Sequence, residues 1–319
     1  RLKYVMRWKI LVILIGLFTV SISIASAQGE LAATLEVLTD GVEVQRVNTT
    51  NWIAVKVEAI VGVGDVIRTD ASGRARITFF SDGVDTELLP ETEYRITRFE
   101  GDEQSFRIGA EVVVGETLQR IGRLLDSSSS YDITTPSMAL AARGTVFTIR
   151  VGDDGVAKML VTEGNVEASD EANNASVPPT YGIRGEPGEA LSEVVQASSF
   201  DQLDSALDGC SASVNITDDV SLNVRLGASL EFERIATIDP QTIDRFMGST
   251  SNGWYRIQFR GGYGWINPSL SSVDPTCPGL RQFTDGYGPE DISQYESLGN
   301  PLSASEMPTQ PAAEATTSP

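Results

Sequence analysis

The chain has 319 residues, with 24 Lys and Arg against 44 Asp and Glu, and a formal net charge of −20. That length suggests about two domains, and so acidic a surface repels nucleic acid and anionic lipid, so neither is expected as a partner. No histidine occurs, which excludes Ser-His-Asp and Cys-His catalysis, His-ligated zinc and histidine-based pH switching.

The N-terminal segment "RLKYVMRWK" carries Arg1, Lys3, Arg7 and Lys9 and no acid. The uncharged run "ILVILIGLFTVSISI" follows, and Ala25-Ser26-Ala27 supplies a small-x-small cleavage pattern. Residues 1–27 read as a secretory signal peptide, with the mature chain starting near Gln28. The other reading is an uncleaved anchor, because Ile10 to Ala27 is 18 uncharged residues, near the lower limit for a spanning helix. Either reading places the rest outside the cytoplasm, whether secreted, periplasmic or associated with the cell envelope. Contact with membrane is expected only if the segment is uncleaved.

From Leu35 to about Ser169 the pattern is short strands and turns. "LEVLTDGVEVQRV" alternates about Asp40-Gly41, and "GDVIRTDASGRARITFFSDGVDTELL" breaks at Ala71-Ser72-Gly73 and Asp82-Gly83. Period-2 patterning with turn signals at this spacing predicts an all-β sandwich or roll. One stretch differs: Leu118, Ile121, Leu124 and Leu125 fall at helical spacing, which predicts a short helix over Glu116–Leu125. Two more short strands around Gly122 are the alternative. Residues 171–208 are rich in Pro, Gly, Asn and acid and read as a linker, within which "LSEVVQASSFDQLDSAL" could form one or two short helices.

A second strand-and-turn unit follows over 209–277, bracketed by Cys210 and Cys277, the two cysteines of the chain. Outside the cytoplasm such a pair is expected to form a disulfide. Closing a loop of 67 residues would contribute about 4 kcal/mol in the loop-entropy model. Residues 278–319 have the Pro, Ala, Ser and Thr bias of an irregular or disordered tail.

Trp52 in "NWIAVKV", then "GVGDVIRTDASGRARITFFSDG", "LLPETEYRI", "YDITTPSMALAARGTVFTIRV" and "VTEGNVEAS" occur in that order. Through these parts residues 33–170 resemble the FecR-like domain, which implies an all-β domain facing the periplasm. Family members that regulate iron uptake receive a signal there from an outer-membrane receptor and handle a sigma factor through a cytoplasmic N-terminal region. Here nine residues precede the apolar run, fewer than such a region needs, so fold and compartment are carried over and the anti-sigma role is not. Within the resemblance, Gly64, Asp65, Arg143, Gly144 and Thr145 are expected to be structural, as turn glycines, turn-amide acceptor, ion-pair partner and strand start.

The second unit resembles bacterial SH3-like modules through "LNVRLGAS", "NGWYRIQF" and "YGWI". The resemblance implies a small SH3-like β-barrel (SH3b) that recognises peptide, often cell-wall peptide or peptidoglycan, or holds other domains in place. Its candidate ligand-binding residues are Trp254, Tyr255, Tyr263, Trp265 and Arg225; the opposing expectation is that Trp254 and Trp265 are core. No nucleophile motif, metal cluster or phosphate loop stands out, so no enzymatic activity, cofactor or metal is expected. The sequence reads as a non-catalytic binding or scaffold protein whose partner is cell-wall peptide, peptidoglycan or an envelope protein. Its alternatives are an anchored envelope signalling component and a purely structural scaffold.

Overall fold

The computed structural model describes residues 32–80, 84–102, 105–122, 128–216, 222–238, 242–259, 262–267, 269, 271–276 and 278–283. The expected signal peptide, the Asp82-Gly83 turn, Leu124, Leu125 and Cys277 lie outside the described residues. Among the described residues no helix is long and apolar enough to cross a membrane.

The first body opens with β1 (Ala33–Thr39), β2 (Val42–Gln45), β3 (Trp52–Val55), β4 (Glu58–Val61), β5 (Val66–Thr69), β6 (Arg74–Phe80), β7 (Val84–Leu88) and β8 (Glu93–Gly101). It continues with β9 (Phe106–Ile121), β10 (Ser130–Thr134), β11 (Ala139–Ala142), β12 (Val146–Val151), β13 (Ala157–Glu163), β14 (Val166–Ser169), β15 (Asn174–Val177), β16 (Tyr181–Gly185) and β17 (Val195–Gln196). One sheet runs β4-β1-β6-β7-β9-β12-β13-β16-β17. The other runs β3-β2-β5-β8-β9-β10-β11-β14-β15.

The chain is all-β here because its apolar side chains recur at every second position. In β6, Ala75, Ile77 and Phe79 point inward and are buried while Arg74, Arg76 and Thr78 are not. The two sheets meet face to face through such residues: Phe79 of one sheet packs edge-on against Phe99 of the other, ring centroids 5.1 Å apart. Burying each large side chain of this kind contributes about 1.5–3 kcal/mol.

Strand β9 belongs to both sheets. Its first half pairs with β8 in the second sheet, and its last seven residues pair with β7 and β12 in the first. Gly115, at φ +97, sits where it crosses, and a Cβ there would lie 2.4 Å from Thr92 Cα. A glycine is therefore what allows one strand to serve both layers.

Two expectations are corrected here. The helix expected over Glu116–Leu125 is instead strand as far as Ile121, because Thr117 and Gln119 face inward with Ile121 while Leu118 is only partly buried. The spacing of leucines suggested a helix, whereas the true period runs through polar residues. Residues 171–208, expected to be a linker, hold β15, β16 and β17, which complete the two sheets.

The same stretch ends in helix α1 (Phe200–Asp208), capped by Ser199, whose side chain accepts from Gln202 N. Phe200, Leu203 and Ala206 are buried along one face, against Val195 and Ala197. The helix also packs on the sheet that follows it.

That second sheet comprises β18 (Cys210–Ile216), β19 (Leu222–Arg225), β20 (Arg234–Ile238), β21 (Thr242–Thr250), β22 (Tyr255–Phe259), β23 (Gly262–Ile266), β24 (Ser271–Pro275) and β25 (Arg281–Phe283). Its order is β20-β19-β23-β22-β21-β18-β24, with β25 parallel to the end of β21. Ala212, Leu222, Val224, Phe246, Ile257 and Ile266 form its core. The tail expected to be irregular from 278 onward thus contributes a strand at Arg281–Phe283; residues 284–319 lie outside the described residues.

Candidate functional site

The "GDVIRT" turn is built around Asp65, which is 4 % exposed. Its carboxylate accepts from Val47 N at 3.0 Å, Gly62 N at 3.0 Å and Arg46 Nη1 at 2.7 Å. Both oxygens are engaged in holding two loops together. Gly64 beside it has φ +89, and a Cβ there would meet Val47 Cγ2 at 2.6 Å. This site is a fastening whose polar capacity is spent internally.

"ARGTVF" has similar geometry. Gly144 turns at φ +64, and a Cβ on Gly164 would lie 2.5 Å from Gly144 O, so the two turns are pressed together. Thr145 is buried at 1 % exposure ahead of β12, and Arg143 lies exposed on the turn.

In the C-terminal unit the five candidate ligand residues separate into core and surface. Trp254 and Trp265 are 7 % and 1 % exposed and pack with Ala228, so both are core residues rather than an exposed platform. Large apolar area drives them inward, since their rings gain more by burial than by a shallow surface contact. Tyr255 and Tyr263 are half-buried; Tyr255 packs on Phe246 at 5.7 Å, and Arg256 stacks over the Tyr263 ring at 4.2 Å. Arg225 donates to Phe232 O at 2.7 Å and so fastens its own loop. Cys210 opens β18, and its expected partner Cys277 lies outside the described residues.

A buried polar cluster between the two large sheets was not foreseen. Thr86 Oγ1 donates to Gln119 Oε1 at 2.5 Å, Tyr131 OH donates to the same oxygen at 2.8 Å, and Gln119 Nε2 donates to Thr117 Oγ1 at 2.8 Å. All four residues are at most 1 % exposed. Burial pushes the neighbouring Tyr94 phenol up to about 12, and Tyr131 well above the ordinary phenol range. The cluster fixes how the sheets register, since unpaired polar groups there would be costly. Its sequence signal was the inward parity of Thr117 and Gln119.

A groove of about 540 Å³ is lined by Thr134–Ala139, Asp170–Asn173 and Gly188–Ala190. Its carboxylate at Asp170 accepts from Ala172 N, Asn173 N and Leu191 N at 2.7, 2.6 and 2.8 Å, which hold it down to about 2. That acid is a turn acceptor. Among the described residues no group of three or more His, Cys, Asp or Glu could hold a metal ion.

The edges of the sandwich differ. At one end of the first sheet, β17 and α1 close the edge, and Arg184 grips Asp208 of α1 with two bonds of 2.7 Å, which lowers the Asp208 carboxyl. At the other end, β4 pairs only with β1 and β3 pairs only with β2 among the described residues. Around these terminal strands lie Leu38, Val47, Ile53, Val57, Ile60 and Val63, six of the seven large apolar side chains exposed among the described residues. Ile53, Val57 and Ile60 are 52, 71 and 60 % exposed. Beside them is a cleft of about 360 Å³ lined by Val42, Glu43, Ala54, Lys56, Arg68 and Asp70. The Arg68 guanidinium lies 3.9 Å from the Trp52 ring centroid and bonds Glu43. Solvent-exposed apolar side chains concentrated on open sheet edges mark a contact surface.

Residues 65–167 match the family model described as FecR protein. The match runs from β5 to β14, so β1 to β4 and β15 to β17 complete the two sheets on either side of it. No curated protein matches the chain. Two crystal structures, at 2.50 and 1.65 Å resolution, of a candidate anti-sigma factor from Parabacteroides distasonis ATCC 8503 are similar to it. Each shows 16% identity and a TM-score of 0.35, over 49% of this chain and 68% of theirs.

Proposed function

We propose, with the FecR domain as the premise, that this protein is a non-catalytic envelope signalling component whose sandwich contacts a partner protein outside the cytoplasm. The observation that carries the reading is the open edge of the sandwich at β3 and β4, beside the matched residues, where Ile53, Val57 and Ile60 are more than half exposed. Edge strands recruit partners through unpaired backbone groups, and exposed apolar side chains add area to the contact. The N-terminal apolar segment delivers the domain to that compartment. The polar capacity of the "GDVIRT" turn is spent within the fold, which favours contact over small-ligand chemistry. No cofactor or metal enters the reading.

The test is an Ile53→Glu/Ile60→Glu double variant expressed in the native envelope and cross-linked. It should fold as the wild type does, because both side chains are exposed, and lose the protein partner that the wild type retains. Retention of the same partner would refute the docking edge. N-terminal sequencing of the processed protein decides the attachment: a start near Gln28 means a released chain, and retention of residues 1–27 means an anchored one.

A second reading concerns the C-terminal unit, proposed as an SH3-like module for peptide or peptidoglycan. It is favoured by the concentration of aromatic rings around Arg256, which lies 4.2 Å from the Tyr263 centroid and 5.8 Å from that of Trp265. Binding of the wild type to purified cell-wall sacculi, weakened by Tyr263→Ala, supports it; no retention of the wild type removes the wall as its ligand.

A further inference from the structure

Strand β25 lies where an added peptide strand would lie. In the C-terminal sheet, β18 pairs with β21 only up to Phe246, and β25 takes the vacated edge, with Gly248↔Arg281, Ser249↔Gln282 and Thr250↔Phe283 in register. Gln282 Nε2 adds a bond of 3.1 Å to Ser249 Oγ. The edge is shaped for this approach. Gly248 has φ +141, and a Cβ there would lie 2.1 Å from Arg281 O and 3.1 Å from Phe283 Cε2. Any side chain at 248 would expel the strand.

Beyond the backbone pairing, Phe283 fills an aromatic cleft. Its ring meets Trp265 edge-on at 5.5 Å, and the guanidinium groups of Arg256 and Arg281 lie 4.9 and 4.7 Å from its centroid. Trp254, Trp265 and Ala228 form the buried cluster on which Phe283 packs. Trp265 Nε1 is buried and has no acceptor among the described residues. A parallel edge strand, a ring in a cation-flanked aromatic cleft and a spare buried donor together describe a site for an extended peptide bearing an aromatic side chain.

The occupant is also tied to the neighbouring domain. Arg281 forms an ion pair with Glu193, between β16 and β17. A Cβ on Gly279 would lie 2.6 Å from the Gln202 side chain of α1. Residues 278–283 therefore touch both bodies, and they hold the C-terminal sheet through three paired residues, the Gln282–Ser249 bond, the Phe283 ring and Leu280, which packs against its core.

We propose that residues 278–283 are an autoinhibitory strap, which fills in cis the edge and aromatic cleft that the C-terminal unit presents to an aromatic-bearing extended peptide. This rests on the reading of that unit as a peptide-recognition module. The tether to Glu193 and α1 couples the cleft to the sandwich, so a partner that disturbs α1 would free the cleft. Because a short tether holds the strap at an effective concentration of roughly millimolar, a peptide in trans competes poorly until the strap is weakened.

The test uses the full chain. Fluorescence anisotropy follows a labelled peptide of this chain's own residues 279–285, Gly-Leu-Arg-Gln-Phe-Thr-Asp, against wild type and Phe283→Ala, with acrylamide quenching of tryptophan reporting whether the cleft has opened. The strap predicts that Phe283→Ala binds the peptide roughly 10-fold or more tightly than wild type does, that its quenching rises, and that a peptide with alanine for phenylalanine does not bind. Equal binding to both proteins overturns the strap. A folded Phe283→Ala protein that takes other aromatic peptides from a displayed library but not 279–285 overturns the strap and keeps the peptide-recognition reading; one that takes neither overturns both. Should Phe283→Ala lose its near-ultraviolet circular dichroism, Glu193→Arg serves instead, since it releases Arg281 without touching the C-terminal core. It should raise affinity for the peptide in the same direction, and unchanged affinity overturns the proposal.

Discussion

Replacing Asp65 with alanine removes one carboxylate and three hydrogen bonds at once. The bonds to Val47 N and Gly62 N are each 3.0 Å and that to Arg46 Nη1 is 2.7 Å, around a side chain 6% exposed. A hydrogen bond to a charged group contributes about 1.5–3 kcal/mol when its partner is left buried. The Arg46 end is 40% exposed, so its share is screened to about 0.5–1 kcal/mol. With the two amides partly reachable by water, the loss for Asp65→Ala comes to about 3–4 kcal/mol. Asp65→Asn, which keeps one acceptor oxygen, should lose about 1–2 kcal/mol. Urea titration followed by circular dichroism reads the difference: at a slope of about 2 kcal/mol per molar, the alanine variant's midpoint falls by about 1.5–2 M with the slope unchanged. An alanine variant within about 0.5 kcal/mol of wild type would refute the fastening role of Asp65.

The remaining predictions concern the crossing strand, the core and the cysteines. Gly115→Val, whose Cβ would lie 2.4 Å from Thr92 Cα at φ +97, should cost more than about 3 kcal/mol. Gly188→Ala, at φ +78 with nothing within 4 Å, should cost only about 1 kcal/mol; thermal melts giving equal losses would contradict the crossing role. Tyr94 is raised from 10.0 to about 12 by burial, so the folded state holds the protonated form more tightly than the unfolded one does. Its stabilising contribution is complete below pH 10 and is lost as the pH rises toward 12, and a phenolate absorbance appearing at the ordinary phenol pKa for every tyrosine, without unfolding, would contradict it. Cys210 and Cys277 are the two cysteines of a chain read as extracytoplasmic, where an even pair is expected to form a disulfide. Thiol labelling of denatured, unreduced protein should therefore find no free cysteine, and two reactive thiols would refute the pairing.

The all-β character was legible because Ala75, Ile77 and Phe79 alternate with Arg74, Arg76 and Thr78, a pattern that needs no tertiary context. β9 was misread for a physical reason. Two of its three inward positions beyond Gly115 are Thr117 and Gln119, which are tolerated because Thr86 and Tyr131 from other strands, and their own mutual bond, satisfy them. No local rule supplies those partners. The strands hidden in 171–208 were missed similarly: "YGIRG" has little apolar alternation, yet Gly182 packs against Leu160 and Leu203, where a larger residue would clash. At the candidate sites, the turn role of Asp65 could be read from its neighbours in sequence. The burial of Trp254 and Trp265 stood as one of two expectations; what could not be read is that Phe283, eighteen residues beyond Trp265 in the chain, packs on them. The open edge at β3 and β4 was invisible too, since Ile53, Val57 and Ile60 look like core residues until pairing shows that no further strand lies outside β3 and β4 among the described residues.

Site-specific photo-cross-linking in intact cells tests most directly whether that edge is the working surface. A photoreactive residue is placed singly at Val57, at Ile60 and, as control, at Glu189, which is exposed near the groove by Asp170. Docking at the open edge predicts one discrete, ultraviolet-dependent protein adduct from 57 and 60 and none from 189. Adducts from 189 alone, or no adduct from any position in envelope where the protein is present, would contradict it.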